Sequence, residues 1–170
     1  MSTLKIAGIV GDSITDGPGI RTAIFVQGCS HNCLGCHNPE THDFAGGSET
    51  TVEQLLEIIK RNPLLSGITL TGGDPMFQPA PLAELARQTK ALGLEVACYT
   101  GFTFEELMAE RDPDRMRLLD YTDVLVDGRF VLAERSLDLK FKGSRNQRIL
   151  DVKKSLASGE AVLMHDGRWD

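Results

Sequence analysis

The chain has 170 residues, 41% of them hydrophobic, which is enough for one domain with a core but too few for two. The formal net charge of -6 argues against a nucleic-acid-binding surface, because binding phosphates requires clustered Lys and Arg. No apolar run approaches the roughly 20 residues that span a bilayer, and the first residues lack the layout of a signal peptide. We therefore expect a cytoplasmic protein that forms a single domain over residues 1–170.

The first part of the chain predicts two buried strands that lead into a loop. Residues 4–10 and 22–26 are short apolar runs typical of buried strands, and the Gly- and Asp-rich stretch 11–19 between them is typical of a loop. Residues 29–39 have neither a helical nor a strand period. We expect this segment to be a loop that is ordered by a bound ligand.

The next segment predicts a helix, a strand and a glycine turn. Thr50 and Glu53 have the spacing of a capping box, and an apolar face at the helical period follows them until Pro63. Residues 67–71 then predict a short strand. This strand runs into the turn Gly72-Gly73-Asp74-Pro75.

Helices and strands continue to alternate in the second half. Pro81 is typical of a helix start, and Gly93 of the residue that follows a helix end. Residues 94–99 predict a strand, 103–106 a second capping box that begins a short helix, and 123–127 a further strand.

This alternation predicts an α/β fold with a mainly parallel sheet of βα units, forming a partial, incomplete TIM-like barrel. Ligands in such folds gather at the carboxyl ends of the strands. The cysteine loop, the glycine turn, residues 99–100 and Asp127 all fall there. The weakly patterned segment 128–147 is a candidate partner-binding loop.

Three of the four cysteines are grouped, and this grouping predicts a metal site rather than a disulfide framework. Cys29, Cys33 and Cys36 can bind three irons of a cubane cluster, whereas a fully ligated [4Fe-4S] cluster takes four cysteines. The remaining iron can then accept the amine and carboxylate of S-adenosylmethionine, beside a low-potential electron donor.

A structural zinc site of the Cys3His type is the alternative, with His31 or His37 as the fourth ligand. Zinc sites more often pair two Cys-x2-Cys knuckles or add a distant His pair, which favours the cluster. Cys98 lies within a predicted strand and is interpreted as a small buried hydrophobe.

The glycine turn can approach a ligand closely and offer carbonyl oxygens to an ammonium group. By itself, Gly72-Gly73 is equally consistent with an ordinary βα turn. Its position near the cysteine triplet strengthens the functional interpretation.

The run from Asp16 to Cys29, continued through Cys33 and Cys36-His37-Asn38-Pro39-Glu40, closely resembles the start of the glycyl-radical-enzyme activating proteins. Within that family it is most similar to the anaerobic ribonucleoside-triphosphate reductase activating proteins. The similarity continues through the glycine turn, residues 98–101, 126–130 and 143–148, and so covers most of the chain.

The resemblance implies that the three cysteines ligate a [4Fe-4S] cluster and that Gly72, Gly73 and Asp74 meet the methionine amine. Thr100, in the matching stretch at the end of a strand, is a further expected contact to the cofactor. Asp127 and Arg129 match an Asp-x-Lys pair that sits by the methionine carboxylate, with Arg replacing Lys. A guanidinium can bind that carboxylate through two hydrogen bonds, although a surface salt bridge is the alternative interpretation of this pair.

One position departs from many enzymes of the superfamily. They carry an aromatic residue immediately before the third cysteine, near the adenine, whereas this chain has Gly35. The glycine is common among the reductase activators. His37 or the backbone around Gly35 is expected to supply the adenine contact, although an exposed loop histidine is an equally good interpretation of His37.

The function implied by the resemblance is reductive cleavage of S-adenosylmethionine and formation of a glycyl radical on the anaerobic reductase. A flavodoxin is the expected electron donor. Alternatives are activation of pyruvate formate-lyase or another glycyl-radical enzyme, or a non-catalytic zinc-binding module. Asn146, Gln147 and Arg148 lie in a polar loop whose contact with nucleoside, partner or solvent the sequence leaves open.

Overall fold

A seven-stranded sheet organises the chain, which the computed structural model describes over residues 2–36 and 39–169. The strands are β1 (Thr3–Ser13), β2 (Arg21–Val26), β3 (Ser48–Thr51), β4 (Gly67–Gly72), β5 (Glu95–Tyr99), β6 (Val124–Asp127) and β7 (Arg148–Asp151). The α-helices are α1 (Val52–Lys60), α2 (Pro79–Ala91), α3 (Phe104–Glu110), α4 (Pro113–Asp120) and α5 (Val152–Ser158). Within the described ranges, no helix has the length and apolar composition needed to cross a membrane.

The sheet is parallel at its centre and antiparallel at its edges. The strand order is β3-β1-β2-β4-β5-β6-β7, in which β2, β4, β5 and β6 run parallel. The strands β1, β3 and β7 pair antiparallel with their neighbours. The predicted α/β architecture with a mainly parallel sheet is thus confirmed. The four parallel strands all end at one edge, which is where the predicted site residues follow them.

The two faces of the sheet are covered differently. Successive strand residues point to opposite faces, so each strand contributes to both. One face forms the larger hydrophobic core with the helices, including Leu55 of α1 and Leu82 of α2. The other face carries a smaller cluster that packs without a helix. Its members are Ala97, Val124, Val126 and Trp169, with Tyr99, Phe141, Ile149 and Met164 packed around them.

A fully buried arginine crosses the face without helices. Arg21 donates from Nε to Thr69 Oγ1 at 2.9 Å, from Nη1 to Glu95 Oε1 at 2.9 Å and from Nη2 to the Ile68 carbonyl at 3.0 Å. Its guanidinium also lies 5.3 Å from the centre of the Trp169 ring. Burial lowers the pKa of Arg21, and the neighbouring Glu95 opposes this effect. These contacts satisfy the donors of a charge that would otherwise be costly to bury.

Helix α1 begins one residue later than predicted. The N-cap is Thr51, whose side chain accepts from Gln54 N, while the Gln54 side chain accepts from Thr51 N. Thr50 remains in β3 because that strand pairs with β1, so the predicted box at 50–53 is wrong by one position. The second capping box, at 103–106, is confirmed.

Other element boundaries also differ from the predicted ones, because tertiary pairing overrides the local pattern. Strand β1 extends through Ser13, which pairs with Arg21 of β2, so the predicted loop at 11–19 begins later. Helix α2 begins at Pro79 rather than Pro81, and both prolines lie in a first turn whose amides have no intrahelical acceptor. The short elements α4, β7 and α5 were not predicted.

Candidate active site

The cysteine loop is closed at its neck by backbone hydrogen bonds. Gly28 N donates to the Thr41 carbonyl at 2.6 Å, and Cys29 N donates to the His42 carbonyl at 3.2 Å. Inside the loop, Cys36 N donates to the Cys33 carbonyl at 3.2 Å. The loop therefore leaves β2 and returns to the same place, at the edge where the parallel strands end.

A cavity of about 120 Å³ lies between this loop and the strand ends. All three predicted cluster ligands, Cys29, Cys33 and Cys36, line it and are partly exposed. Cys98 is instead completely buried in the helix-side core, as a small hydrophobe would be. Three other predicted residues also line the cavity, namely Gly72, Gly73 and Thr100.

The arrangement of the thiols fits an iron-sulfur cluster. A cubane offers each thiolate a different iron, so its ligands surround a cavity instead of meeting at a point. Burial raises the pKa of Cys29 to about 11. Iron binding would offset this effect, because a coordinated thiol loses its proton.

The glycine turn is docked directly on the start of the cysteine loop. Gly73 N donates to the Val26 carbonyl at 2.8 Å, and Asp74 N donates to the Gly28 carbonyl at 2.9 Å. A Cβ atom on Gly73 would lie 2.5 Å from the Gly28 oxygen, so only glycine allows this approach. The Gly73 and Asp74 amides are therefore both engaged in hydrogen bonds. The carbonyl oxygens of the turn are the backbone groups that could accept hydrogen bonds from an ammonium ligand.

Asp74 is buried behind the turn and is only 1% exposed. Its Oδ1 accepts from Met76 N at 2.9 Å. Its Oδ2 accepts from Thr100 Oγ1 and Gly101 N, each at 2.9 Å, and lies 2.6 Å from His31 Nε2. A carboxylate has about four acceptor positions, so a direct contact between this side chain and the methionine amine would have to replace one of these partners.

Asp127 and Arg129 point to different partners. Asp127 is 1% exposed and accepts from Phe104 N at 2.8 Å and from Arg148 Nε at 3.0 Å. The register of β6 and β7 sets Arg148 opposite Asp127, and this carboxylate raises the pKa of the arginine. Arg129 makes a surface salt bridge with Glu106 at 2.8 Å.

The backbone at Gly35 explains why this position lacks an aromatic side chain. Its φ of +76° is in the left-handed region, and a Cβ atom there would lie 2.8 Å from Leu132 Cδ1. An aromatic residue there would adopt a strained backbone conformation, and the exposed Leu132 side chain would have to shift. His37, the other predicted adenine contact, lies outside the described residues.

Asn146 and Gln147 hold the segment after β6 in place. Asn146 Nδ2 donates to the Arg129 carbonyl at 2.8 Å, and Gln147 Nε2 donates to the Gly128 carbonyl at 3.0 Å. Gln147 Oε1 also accepts from Gly143 N at 2.8 Å. Gln147 lines the cavity as well, so its side chain connects this segment to the site.

Two histidines join the site in ways that the sequence did not indicate. His42 Nε2 lies 3.3 Å from Cys36 Sγ, and no periodicity marks this residue in the sequence. His31 was indicated only as an alternative zinc ligand, but its ring binds Asp74 and packs edge-on against Phe102 at 4.7 Å. Both histidines line the cavity.

Gly101→Ala is expected to destabilise the protein by about 1–3 kcal/mol, because the added methyl would lie 2.5 Å from the buried His31 ring. The free energy of unfolding of the cluster-free protein in urea measures this loss. Gly11→Ala is the matched control, since its Cβ would meet nothing within 4 Å. Equal stability of the two variants would show that the His31 ring can move aside without a loss of stability.

The chain is similar to a family of iron-sulfur domains and to several activating proteins. The family described as "4Fe-4S single cluster domain" matches residues 15–150. The anaerobic ribonucleoside-triphosphate reductase-activating protein of Vibrio cholerae is 36% identical over 80% of this chain and 90% of its own length. The pyruvate formate-lyase-activating enzyme of Clostridium pasteurianum is 37% identical over 73% of this chain and 55% of its own length. Among solved structures, QueE from Escherichia coli aligns with a TM-score of 0.48 and 20% identity over 59% of this chain and 53% of that chain.

Proposed function

The chain belongs to the 4Fe-4S single cluster domain family and to the anaerobic ribonucleoside-triphosphate reductase-activating proteins, and from this premise we propose how its residues perform activation. It is a radical S-adenosylmethionine enzyme that uses a [4Fe-4S] cluster. The observation that carries the proposal is the convergence of three cysteines and the glycine turn on one cavity.

The cysteines Cys29, Cys33 and Cys36 would hold the cluster and leave one iron for the cofactor. When bound, the cluster supplies the electron that cleaves S-adenosylmethionine into methionine and a 5′-deoxyadenosyl radical, which removes hydrogen from a glycine Cα of the reductase. The carbonyls of Gly72 and Gly73 would receive the methionine amine. Their fixed position on the cysteine loop keeps the two binding points at a constant separation, which lowers the entropy cost of binding both at once.

Other features extend the proposal. The sheet would be the wall of a partial, incomplete TIM-like barrel, supported by helices on one face and a helix-free second face. One sheet shared by the described elements supports a single radical S-adenosylmethionine domain over residues 1–170.

A cytoplasmic location would suit this site, because three grouped thiols need a reducing compartment. Because the cluster needs an external electron, a flavodoxin is the proposed donor.

We also propose that a guanidinium group binds the methionine carboxylate. Arg129 is the residue that resembles the family's lysine, and it would have to leave Glu106 to reach a ligand. Its partner is half-exposed, and exchanging a surface salt bridge costs little. The buried Asp127 would then orient the strand end through Arg148 rather than bind the carboxylate itself.

The test is product analysis after anaerobic reconstitution with iron and sulfide. With dithionite and S-adenosylmethionine, we expect 5′-deoxyadenosine and methionine, and with the reductase present a glycyl radical visible by electron paramagnetic resonance. A reducible cluster that gives neither product with the reductase present would overturn the enzymatic proposal. A radical on pyruvate formate-lyase but not on the reductase would favour the alternative partner, which the Clostridium relative supports.

A further inference from the structure

His31 is held far more firmly than a histidine in a loop normally is. It lies between Cys29 and Cys33 in the sequence, yet its side chain is only 6% exposed. Its Nε2 is 2.6 Å from Asp74 Oδ2, across 43 residues of sequence. The ring is thus directed away from solvent, toward the end of β4.

An aromatic cluster fixes the plane of the His31 ring. Phe102 packs edge-on against it with the ring centres 4.7 Å apart, and Phe77 lies 5.6 Å away. The Arg115 guanidinium stacks over Phe102 at 4.5 Å and closes the cluster from outside. Such contacts restrict the ring to one orientation, so its nitrogen remains aimed at Asp74.

Asp74 connects this histidine to two strand ends. Its own backbone belongs to the glycine turn after β4, and its Oδ2 accepts from Thr100 and Gly101 after β5. The single carboxylate therefore joins three segments of chain: the cysteine loop, the turn and the β5 end. Its burial makes these bonds strong, because water does not compete for them.

We propose that His31 is a positioning residue that sets the cysteine loop against the Gly72-Gly73 turn through Asp74. The inference deepens the proposed function and rests on it. The cofactor must reach the cluster and the turn at the same time, and the His31–Asp74 bond adds a side-chain link to the backbone hydrogen bonds that set their separation. Loss of the bond should weaken cofactor binding even though all three cysteines remain.

The first test needs neither cluster nor cofactor. In His31→Phe the aromatic packing is retained and the bond to Asp74 is lost, so the Gly101 amide should exchange its hydrogen at least about tenfold faster than in the parent protein. His31→Gln keeps a donor of similar reach and should restore part of the protection. Unchanged exchange at Gly101 in His31→Phe would overturn the proposed connection.

The second test measures cofactor affinity in the reconstituted protein. The change that S-adenosylmethionine produces in the electron paramagnetic resonance spectrum of the reduced cluster gives a Kd. We expect His31→Phe to assemble iron and sulfide normally but to raise this Kd about tenfold or more, which is the loss of one hydrogen bond to a charged group. His31→Gln should recover much of that affinity.

A double-mutant cycle separates this role from a general loosening of the site. His31→Phe and Asp74→Asn should each raise the Kd, and together should raise it no more than Asp74→Asn alone, because the link to His31 is one of the bonds that Asp74→Asn already disturbs. His42→Phe is the matched control: the same substitution on the same cavity wall should combine multiplicatively with Asp74→Asn. A multiplicative effect of His31→Phe with Asp74→Asn, or an unchanged Kd in His31→Phe, would overturn the inference. If the parent protein with a complete cluster cleaves no cofactor, the proposed function fails instead.

Discussion

Cys33→Ala is expected to reduce 5′-deoxyadenosine formation to background. The variant leaves two thiolates in the cavity, so two irons of the cluster would lack a protein ligand. Neither His31 nor His42 can replace the thiolate without breaking its present contact, to Asp74 or to Cys36. Iron and sulfide content after anaerobic reconstitution, followed by product analysis, measures the loss.

Cys98→Ala is the matched control for that experiment. This cysteine is fully buried in the helix-side core and its side chain does not line the cavity. Removing its sulfur should lower the free energy of unfolding modestly while leaving cluster content and cofactor cleavage at parent levels. If Cys33→Ala retained cleavage, Cys33 would be removed from the ligand set. If Cys98→Ala lost the cluster, its interpretation as a core residue would be wrong.

Local patterns in the sequence predicted much of the fold because they report on interactions between near neighbours. The capping box at 103–106 and the apolar face of α1 depend on residues three or four apart, and both formed. The box at 50–53 failed by one position because pairing of β3 with β1, a non-local contact, decided where the strand ended. Helix α4 was missed because only Leu118 and Leu119 are buried along it, too few to give a period.

The cysteines and glycines that line the cavity could be predicted from the sequence, whereas the residues that support them could not. The spacing of the cysteines indicated a cluster site, and the predicted strand ends indicated that the glycine turn lies beside it. These residues could therefore be found from the sequence. The partner of Asp127 could not, because Arg148 lies 21 residues away and reaches it only through the antiparallel register of β7. The same holds for His31 and Asp74, which are 43 residues apart. Residues that orient a site are brought together by topology, which leaves little trace in local sequence.

Trp169→Ala is expected to lower the free energy of unfolding by about 3–5 kcal/mol, the usual cost of truncating a fully buried aromatic side chain to alanine. The indole closes the helix-free face of the sheet. It packs edge-on against Phe141 at 5.3 Å, lies 5.3 Å from the buried Arg21 guanidinium, and donates from Nε1 to Glu95 at 3.3 Å. Its removal would also let water reach the Arg21 guanidinium, which is now buried beneath it.

Urea unfolding of the cluster-free protein measures this loss, and two variants calibrate it. Trp169→Phe keeps an aromatic ring and should lose less, whereas Leu137→Ala, at a side chain that is 91% exposed, should stay within about 0.5 kcal/mol of the parent. A loss below about 1 kcal/mol in Trp169→Ala would mean that the indole does not seal this face.

The effect of Trp169→Ala should also extend to the site, because the Phe141 carbonyl accepts a 2.6 Å hydrogen bond from the hydroxyl of Tyr99, which lines the cavity. We therefore expect Trp169→Ala to raise the Kd for S-adenosylmethionine even under conditions where the variant remains folded.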